Sequence, residues 1–439
     1  MTAEVAILNS SAIAIAADSA VTIGRGKKIY NSALKVFSLS KVAPVGVMIY
    51  GNAGLLDVPW ETIVKMYRKQ LGARTFPSLD AYAKDFLDYL PRNSLLFPKD
   101  LQDGWVLSNI AGYFLSIRDE LSKAVEALFK DGKTVDESAT KAAFGSIVER
   151  RHAQLTGLKQ AAGVDAHWER TVGERFLDRA TKINADVFEK LPQDDQTTAR
   201  LLDIAALVHT RELMSDGHTG LVICGFGEAD VYPALVTHLI DGVYEDRLKY
   251  KLRADKSVRV AKGSDCSIVP FAQEDMVSTF MEGMNPSIDR FIRKWLSEMF
   301  SQLPSLIPDA DLAGDLAARA AAKGKYAQAT EQLHARFLDQ LQSHKRKQHI
   351  DPILNMVRVL PKDELAAMAE AMVNLTAFKR RMTDELETVG GPIDVAIISK
   401  GDGFVWVKRK HYFQPGLNQH FFANYFREFG DGNAQVDQN

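Results

Sequence analysis

Residues 1–57 decide the reading: MTAEVAILNSSAIAIAADSAVTIGRGKKIYNSALKVFSLSKVAPVGVMIYGNAGLLD. Residues 3–9 and 12–19 read as two strands joined by the tight hairpin Asn9-Ser10-Ser11. The second is almost continuously apolar and built of small residues, the pattern of a strand covered on both faces. Residues 29–30 and 35–39 are expected to form a short hairpin, and 45–50 another buried strand behind Pro44. Over 58–71, Trp60, Ile63, Val64, Tyr67 and Leu71 recur at helical spacing, with Asp57 as the expected N-cap.

The same stretch carries chemistry. Removal of Met1 would leave Thr2 with a free α-amine beside its own hydroxyl, and threonine is small enough for routine methionine removal. An α-amine titrates near ~8, so part of it is neutral at pH 7 and can accept a proton. Nucleophile and base then sit on one residue. A nearby lysine ammonium lowers the hydroxyl pKa and keeps the amine neutral, and a buried lysine needs a paired carboxylate to stay charged. Thr2, Asp18 and Lys35 supply that set on three successive expected strands. The oxyanion of a tetrahedral intermediate needs a closely approachable backbone N–H, which Gly51 can provide.

In order and spacing this segment resembles the N-terminal half of a proteasome β-subunit or of its bacterial relative, the HslV protease. That family begins its mature chain with Thr, places an Asp sixteen positions later in a D-S-x-x-T-x-G motif, and follows with a Lys and a G-x-A-x-x-D-like turn. Thr2 to Asp18 is sixteen positions, Asp18-Ser19-Ala20-Val21-Thr22-Ile23-Gly24 fits the motif, and Gly51-Asn52-Ala53-Gly54-Leu55-Leu56-Asp57 fits the turn loosely. The resemblance implies Thr2 as nucleophile and base, Asp18 and Lys35 as the charge pair, Gly51 as oxyanion donor, and Thr22 and Ala53 as backbone positions for an extended substrate. It implies an α+β fold, a four-layer αββα sandwich of the N-terminal-nucleophile kind.

The chain has 439 residues, 46% hydrophobic and 25% charged, as in an ordinary globular protein. A formal charge of −2 gives no reason to expect nucleic acid or an anionic membrane as partner. Cys224 and Cys266 make no disulfide framework and lack metal-ligand spacing, so neither a metal nor another cofactor is expected. There is no apolar run of membrane-spanning length and no signal-peptide pattern, so the expected compartment is the cytoplasm.

Further along, residues 1–76 are expected to form the first part of the core, and 77–216 a mostly helical stretch with helices near 79–90, 107–129, 135–155, 168–191 and 197–214. Strands return over 217–285, at 219–225, 232–241, 248–252 and 257–260, followed by a helix at about 271–284. A second helical insertion spans 286–387. Residues 388–429 hold two closing strands and an aromatic tail, and 430–439 are expected to fray. The resemblance extends to Pro233-Ala234-Leu235, Asp241-Gly242 and Val389-Gly390-Gly391. Val389 and Leu386 stand where the family carries the serine and aspartate that support the terminal amine. Glu387, Thr388 or Ser267 are the candidates to replace them.

The resulting expectation is a threonine-type amidohydrolase that cleaves peptide bonds through an acyl-Thr2 ester, working on a peptide or protein as a homo-oligomer, with a ring as one form of it. The alternatives are an inactive scaffold of the same fold, or an amide ligase or transpeptidase using the same acyl-enzyme.

Overall fold

The computed structural model describes residues 2–23, 28–130, 136–263, 265–308, 312–383 and 389–423. The chain is α+β and divides into two units, Met1–Val36 with Arg259–Gln419, and chiefly Phe37–Val258.

In the first unit, Ala3–Asn9 lies between Cys266–Ala272 and Ala12–Ala17, and Asp394–Ser399 and Gly403–Lys408 extend the sheet beyond Ala12–Ala17. All these pairings are antiparallel. Successive side chains in a strand point to opposite faces. One face therefore carries Ala3, Val5 and Ile7, Ala12, Ala14 and Ala16, and Val395 and Ile397, which bury together against Leu365, Ala366, Ala369 and Val373 of the helix Lys362–Arg381. Alanines on both sides of that contact let helix and sheet approach closely, which is why Ala12–Ala17 is so poor in large residues. The other face carries Thr2, Glu4, Ala6 and Leu8 along the first strand, and Ile13, Ile15 and Ala17 along the second.

Asn9 fastens the hairpin to the helical layer. Its Nδ2 donates to the carbonyls of Val357 (3.1 Å) and Leu360 (2.9 Å), while its Oδ1 accepts from Ser11 N, Ser11 Oγ and Ala12 N.

In the second unit the sheet order is Arg247–Leu252, Ala234–Tyr244, Thr219–Gly225, Val45–Gly51, Val36–Ser38. Trp60–Leu71 and Leu79–Tyr89 are followed by four long helices, Lys99–Lys130, Glu137–Thr156, Ala166–Phe188 and Asp195–Thr210. These bury their own apolar cluster around Phe114, Phe144, Trp168, Phe188 and Leu201. Three of the four start on an aspartate, Asp136, Asp165 and Asp194, whose side chains accept from the N–H groups of Ala139, Trp168 and Thr197.

Several expectations are corrected. Lys28–Tyr30 pairs with Val21–Ile23, not with residues 35–39, and Val36–Ser38 joins the other sheet. The helix expected from 58 begins at Trp60, because Val58–Pro59 pairs with Gly54–Leu55 across a turn that holds Leu56 and Asp57 at φ of 46° and 63°. Asp57 is therefore a turn residue, and Pro59 stands at the N-cap. The stretch expected as one core over 217–285 is split: Thr219–Gly225 pairs with Val45–Gly51, whereas Cys266–Ala272 pairs with Ala3–Asn9. The helix expected at 271–284 is shorter, Asp275–Glu282, since Phe271 and Ala272 belong to the strand before it. The expected fray over 430–439 lies outside the described residues. No helix among the described residues is long and apolar enough to cross a membrane.

Asn9→Ala removes the side-chain hydrogen bonds that join the hairpin to Val357 and Leu360. It should lower stability by about 2–4 kcal/mol, read as a drop in the urea midpoint at unchanged m-value.

Candidate active site

The site is built on the first two strands of the first unit and the chain that leaves them. Thr2 immediately precedes the strand Ala3–Asn9 and stands two residues from Glu4, on the same side of the chain. The register places Glu4 opposite Ala17, and Asp18 follows at the strand's end. Thr2 is 4% exposed, and Glu4, Asp18 and Lys35 are buried with it.

Thr2 Oγ1 donates to Glu4 Oε2 at 3.0 Å. Lys35 Nζ donates to Asp18 Oδ1 at 2.5 Å and lies 3.3 Å from Glu4 Oε1. Glu4 Oε1 accepts no hydrogen bond, so its contact with Lys35 is Coulombic. Asp18 is held by the backbone as well: Oδ1 accepts from Ala3 N (3.1 Å), and Oδ2 from Ala20 N (3.3 Å) and Gly390 N (3.0 Å). Ser19 adds a hydroxyl bond to the Pro392 carbonyl, and its N–H donates to the Gly390 carbonyl at 3.2 Å. The closing loop before Asp394–Ser399 is thereby fixed against Asp18.

Two carboxylates face one ammonium here. Burial raises the Glu4 carboxyl to about 7; the Lys35 charge and the Thr2 hydroxyl hold it down, and the Asp18 charge pushes it further up. Beyond Ala17 in the same row stands Asp394, whose Oδ2 takes Lys410 Nζ at 2.5 Å and whose Oδ1 takes Lys410 N at 2.8 Å. Burial lowers the Lys410 ammonium, while Asp394 holds it up.

Of the residues singled out in the sequence, the structure brings Thr2, Asp18 and Lys35 into one connected group through Glu4. Glu4 itself was missed, although a lone acid two residues from Thr2 in an apolar strand was the available signal. Gly51 and Ala53 belong to the second unit. Gly51 ends the strand Val45–Gly51 at a φ of 83°, and a Cβ there would lie 3.0 Å from the His218 carbonyl oxygen, so the position suits only glycine. The Ala53 carbonyl accepts from Trp60 N at 3.1 Å. Thr22 pairs through its backbone with Ile29.

The replacement supports fare differently. Ser267 sits in Cys266–Ala272 opposite Leu8, five residues along the sheet from the Ala3–Ala272 pair, so it cannot support the Thr2 amine. The β-branched Ile268 and Val269 beside it suit the extended chain there. Glu387, Thr388 and Leu386 lie outside the described residues. Val389 packs with Val277 and Ile393 in the helix–sheet layer.

The second unit holds another buried lysine–aspartate pair, Lys249 with Asp241 at 2.9 Å, on the wall of a cavity of about 670 Å³ that also meets Trp105, Asn109 and Tyr113. Lys249 spends its other protons on the carbonyls of Val208 (2.7 Å) and Leu213 (2.5 Å), which end the helix Asp195–Thr210 and the segment after it. His209 is fully buried, and burial pushes its imidazole down to about 3, so it is neutral. The pair ties the end of that helix to the sheet, and Asp241 Oδ1 also accepts from Ser215 Oγ and, at 3.1 Å, from Ser215 N. Among the described residues, no group of three His, Cys, Asp or Glu side chains is placed to hold a metal ion.

Lys35→Met leaves two buried carboxylates without their cation and should cost about 3–5 kcal/mol, measured by chemical denaturation. The pH response has a definite sign. Glu4 titrates near 4.5 when unfolded and near 7 when folded, so the folded chain keeps a proton that the unfolded chain releases. The Glu4 contribution to stability is complete below the unfolded value and is lost as pH rises through the folded one. Glu4→Gln should therefore gain stability relative to the parent chain across that window, seen in paired denaturation series.

No protein-family model matches the chain, and no curated protein does. Among solved structures it is similar to Anbu (ancestral beta-subunit) from Yersinia bercovieri, at a TM-score of 0.27 and 10% identity, covering 100% of this chain and 98% of that one. It is also similar to Anbu from Pseudomonas aeruginosa, described as a helical assembly, at a TM-score of 0.28 and 8% identity, covering 98% and 96%. The expected place among proteasome β-subunits and HslV is corrected by these findings: no family model puts the chain there, and the two solved structures named above are Anbu proteins, at a weak level of fold likeness.

Proposed function

We propose that the chain is an N-terminal threonine amidohydrolase that cleaves peptide bonds through an acyl-Thr2 ester, working in the cytoplasm once Met1 is removed. One observation carries the reading: the Thr2 hydroxyl is hydrogen-bonded to a buried acid that is itself in contact with a buried lysine–aspartate pair. A threonine needed only for packing would not require two buried carboxylates and an ammonium beside it, because burying such charges is costly. Their presence next to a hydroxyl supports activation of that hydroxyl.

In this reading Thr2 Oγ1 attacks the substrate carbonyl, the Lys35 ammonium favours the developing alkoxide, and Asp18 holds Lys35 in place. The backbone of Thr22 is assigned to an extended peptide. The leaving amine departs and water resolves the ester. If an amine takes the place of water, the same intermediate yields an amide ligase.

Self-association is part of the proposal. The helix Pro286–Gln302 buries none of its residues, and Ile288, Phe291 and Trp295 leave an apolar stripe more than half exposed along one side. A second reading, an inactive scaffold, is favoured by Val389, which puts an isopropyl group where the resemblance would have a hydroxyl.

Intact-mass measurement should show protein lacking Met1 that gains one equivalent of a β-lactone or epoxyketone probe, with peptide mapping placing the adduct on Thr2. Thr2→Ala should abolish the adduct and amidase activity while keeping the unfolding free energy within about 1 kcal/mol of the parent. Protein that retains Met1 and stays unmodified would favour the scaffold.

A further inference from the structure

We propose that Glu4 is the general base of the site, taking the Thr2 Oγ1 proton at Oε2 directly, in place of the threonine's own α-amine. The inference rests on the threonine-hydrolase reading and assigns its proton path.

The argument begins with a count of protons. A hydroxyl has one hydrogen and can donate it to one acceptor at a time. In this structure that hydrogen points at Glu4 Oε2, 3.0 Å away, within the reach a general base needs. The α-amine can serve as base only if the hydroxyl turns away from Glu4.

The second observation is the asymmetry of the Glu4 carboxyl. It is wholly buried, with one oxygen engaged by Thr2 and the other free of hydrogen bonds and facing the Lys35 ammonium. Asp18, the other acid, has both oxygens filled by Lys35 and three backbone N–H groups. Asp18 is therefore the fixed counter-ion, and Glu4 is the acid with room to take up and release a proton. The charged groups around it are Lys35 from the segment after the small hairpin, Asp18 at the end of Ala12–Ala17, and the Asp394–Lys410 pair beyond Ala17. Burial gives Glu4 a proton affinity matched to neutral pH, where a base is most effective.

The step balances. Thr2 Oγ1 forms a bond to the substrate carbonyl carbon as its proton passes to Glu4 Oε2, giving a tetrahedral alkoxide and a neutral acid. The C–N bond then breaks, and the Glu4 proton goes to the departing nitrogen, releasing a neutral amine and restoring the carboxylate. In deacylation water attacks the ester, Glu4 takes its proton, and that proton returns to Thr2 Oγ1 as the acid product leaves. Lys35 keeps its three protons throughout.

The experiment is the rate of β-lactone labelling of Thr2 from pH 5 to 9, for the full chain, Glu4→Gln and Glu4→Asp. The parent rate should rise about tenfold per pH unit up to roughly pH 7 and then flatten. Glu4→Gln should label at least about a hundredfold more slowly at pH 8 and lose that rising limb. Glu4→Asp keeps the charge for Lys35 but withdraws the carboxyl by one methylene. It should fold as the parent does and also label slowly, which guards against a Gln variant that fails to fold. If either variant labels at the parent rate with the parent pH profile, the Glu4 role is overturned while Thr2 stands as nucleophile. If the parent itself takes no label at any pH, Thr2 is no nucleophile and both readings fall together.

Discussion

The structure around Thr2 depends on one constraint, that a single ammonium must balance two carboxylates out of reach of water. Lys35 can neutralise only one of them fully, and the geometry shows which: Asp18 receives the short contact and three backbone donors, whereas Glu4 receives a longer, poorly directed one. Burial raises the proton affinity of Glu4, the group nearest the hydroxyl, and the Asp18 charge adds to it against the pull of Lys35. Structural support and chemical readiness are thus divided between two acids of the same charge type.

The rest of the first unit serves to keep that imbalance fixed. The alanine-rich strand lets a helix press close to one face of the sheet, which leaves the opposite face to the polar row. Asn9 locks the far end of the hairpin, and the loop at Gly390 locks the near end. The comparison with Lys249 and Asp241 is instructive. There the lysine donates to two carbonyls and lies 2.9 Å from one oxygen of a single carboxylate, so one cation faces one acid where Lys35 faces two.

Much of this was legible in the chain. Asp18 and Lys35 could be placed together from the order and spacing of the segment and the family it resembles, and the long helices follow from spacing. Glu4 was not legible in the same way, because an acid in a strand is most simply read as facing solvent, and only the pairing with both neighbouring strands shows that it has none to face. Ser267 failed for a related reason: apolar residues at 271–284 have helical spacing, but the partner strand Ala3–Asn9 claims the first of them. The hairpin at 28–30 went astray because strand partners are decided by distant sheet edges, which local patterns do not encode.

The bond from Gly390 to Asp18 joins positions 372 apart in the chain. A ribosome therefore adds the 372 positions between them before that anchor for the ion pair exists. Until the last strands emerge, Asp18 lacks one of its donors, and the threonine's surroundings stay incomplete. The polar row around Thr2 is thus completed only after both chain-distant parts of the first unit have been made.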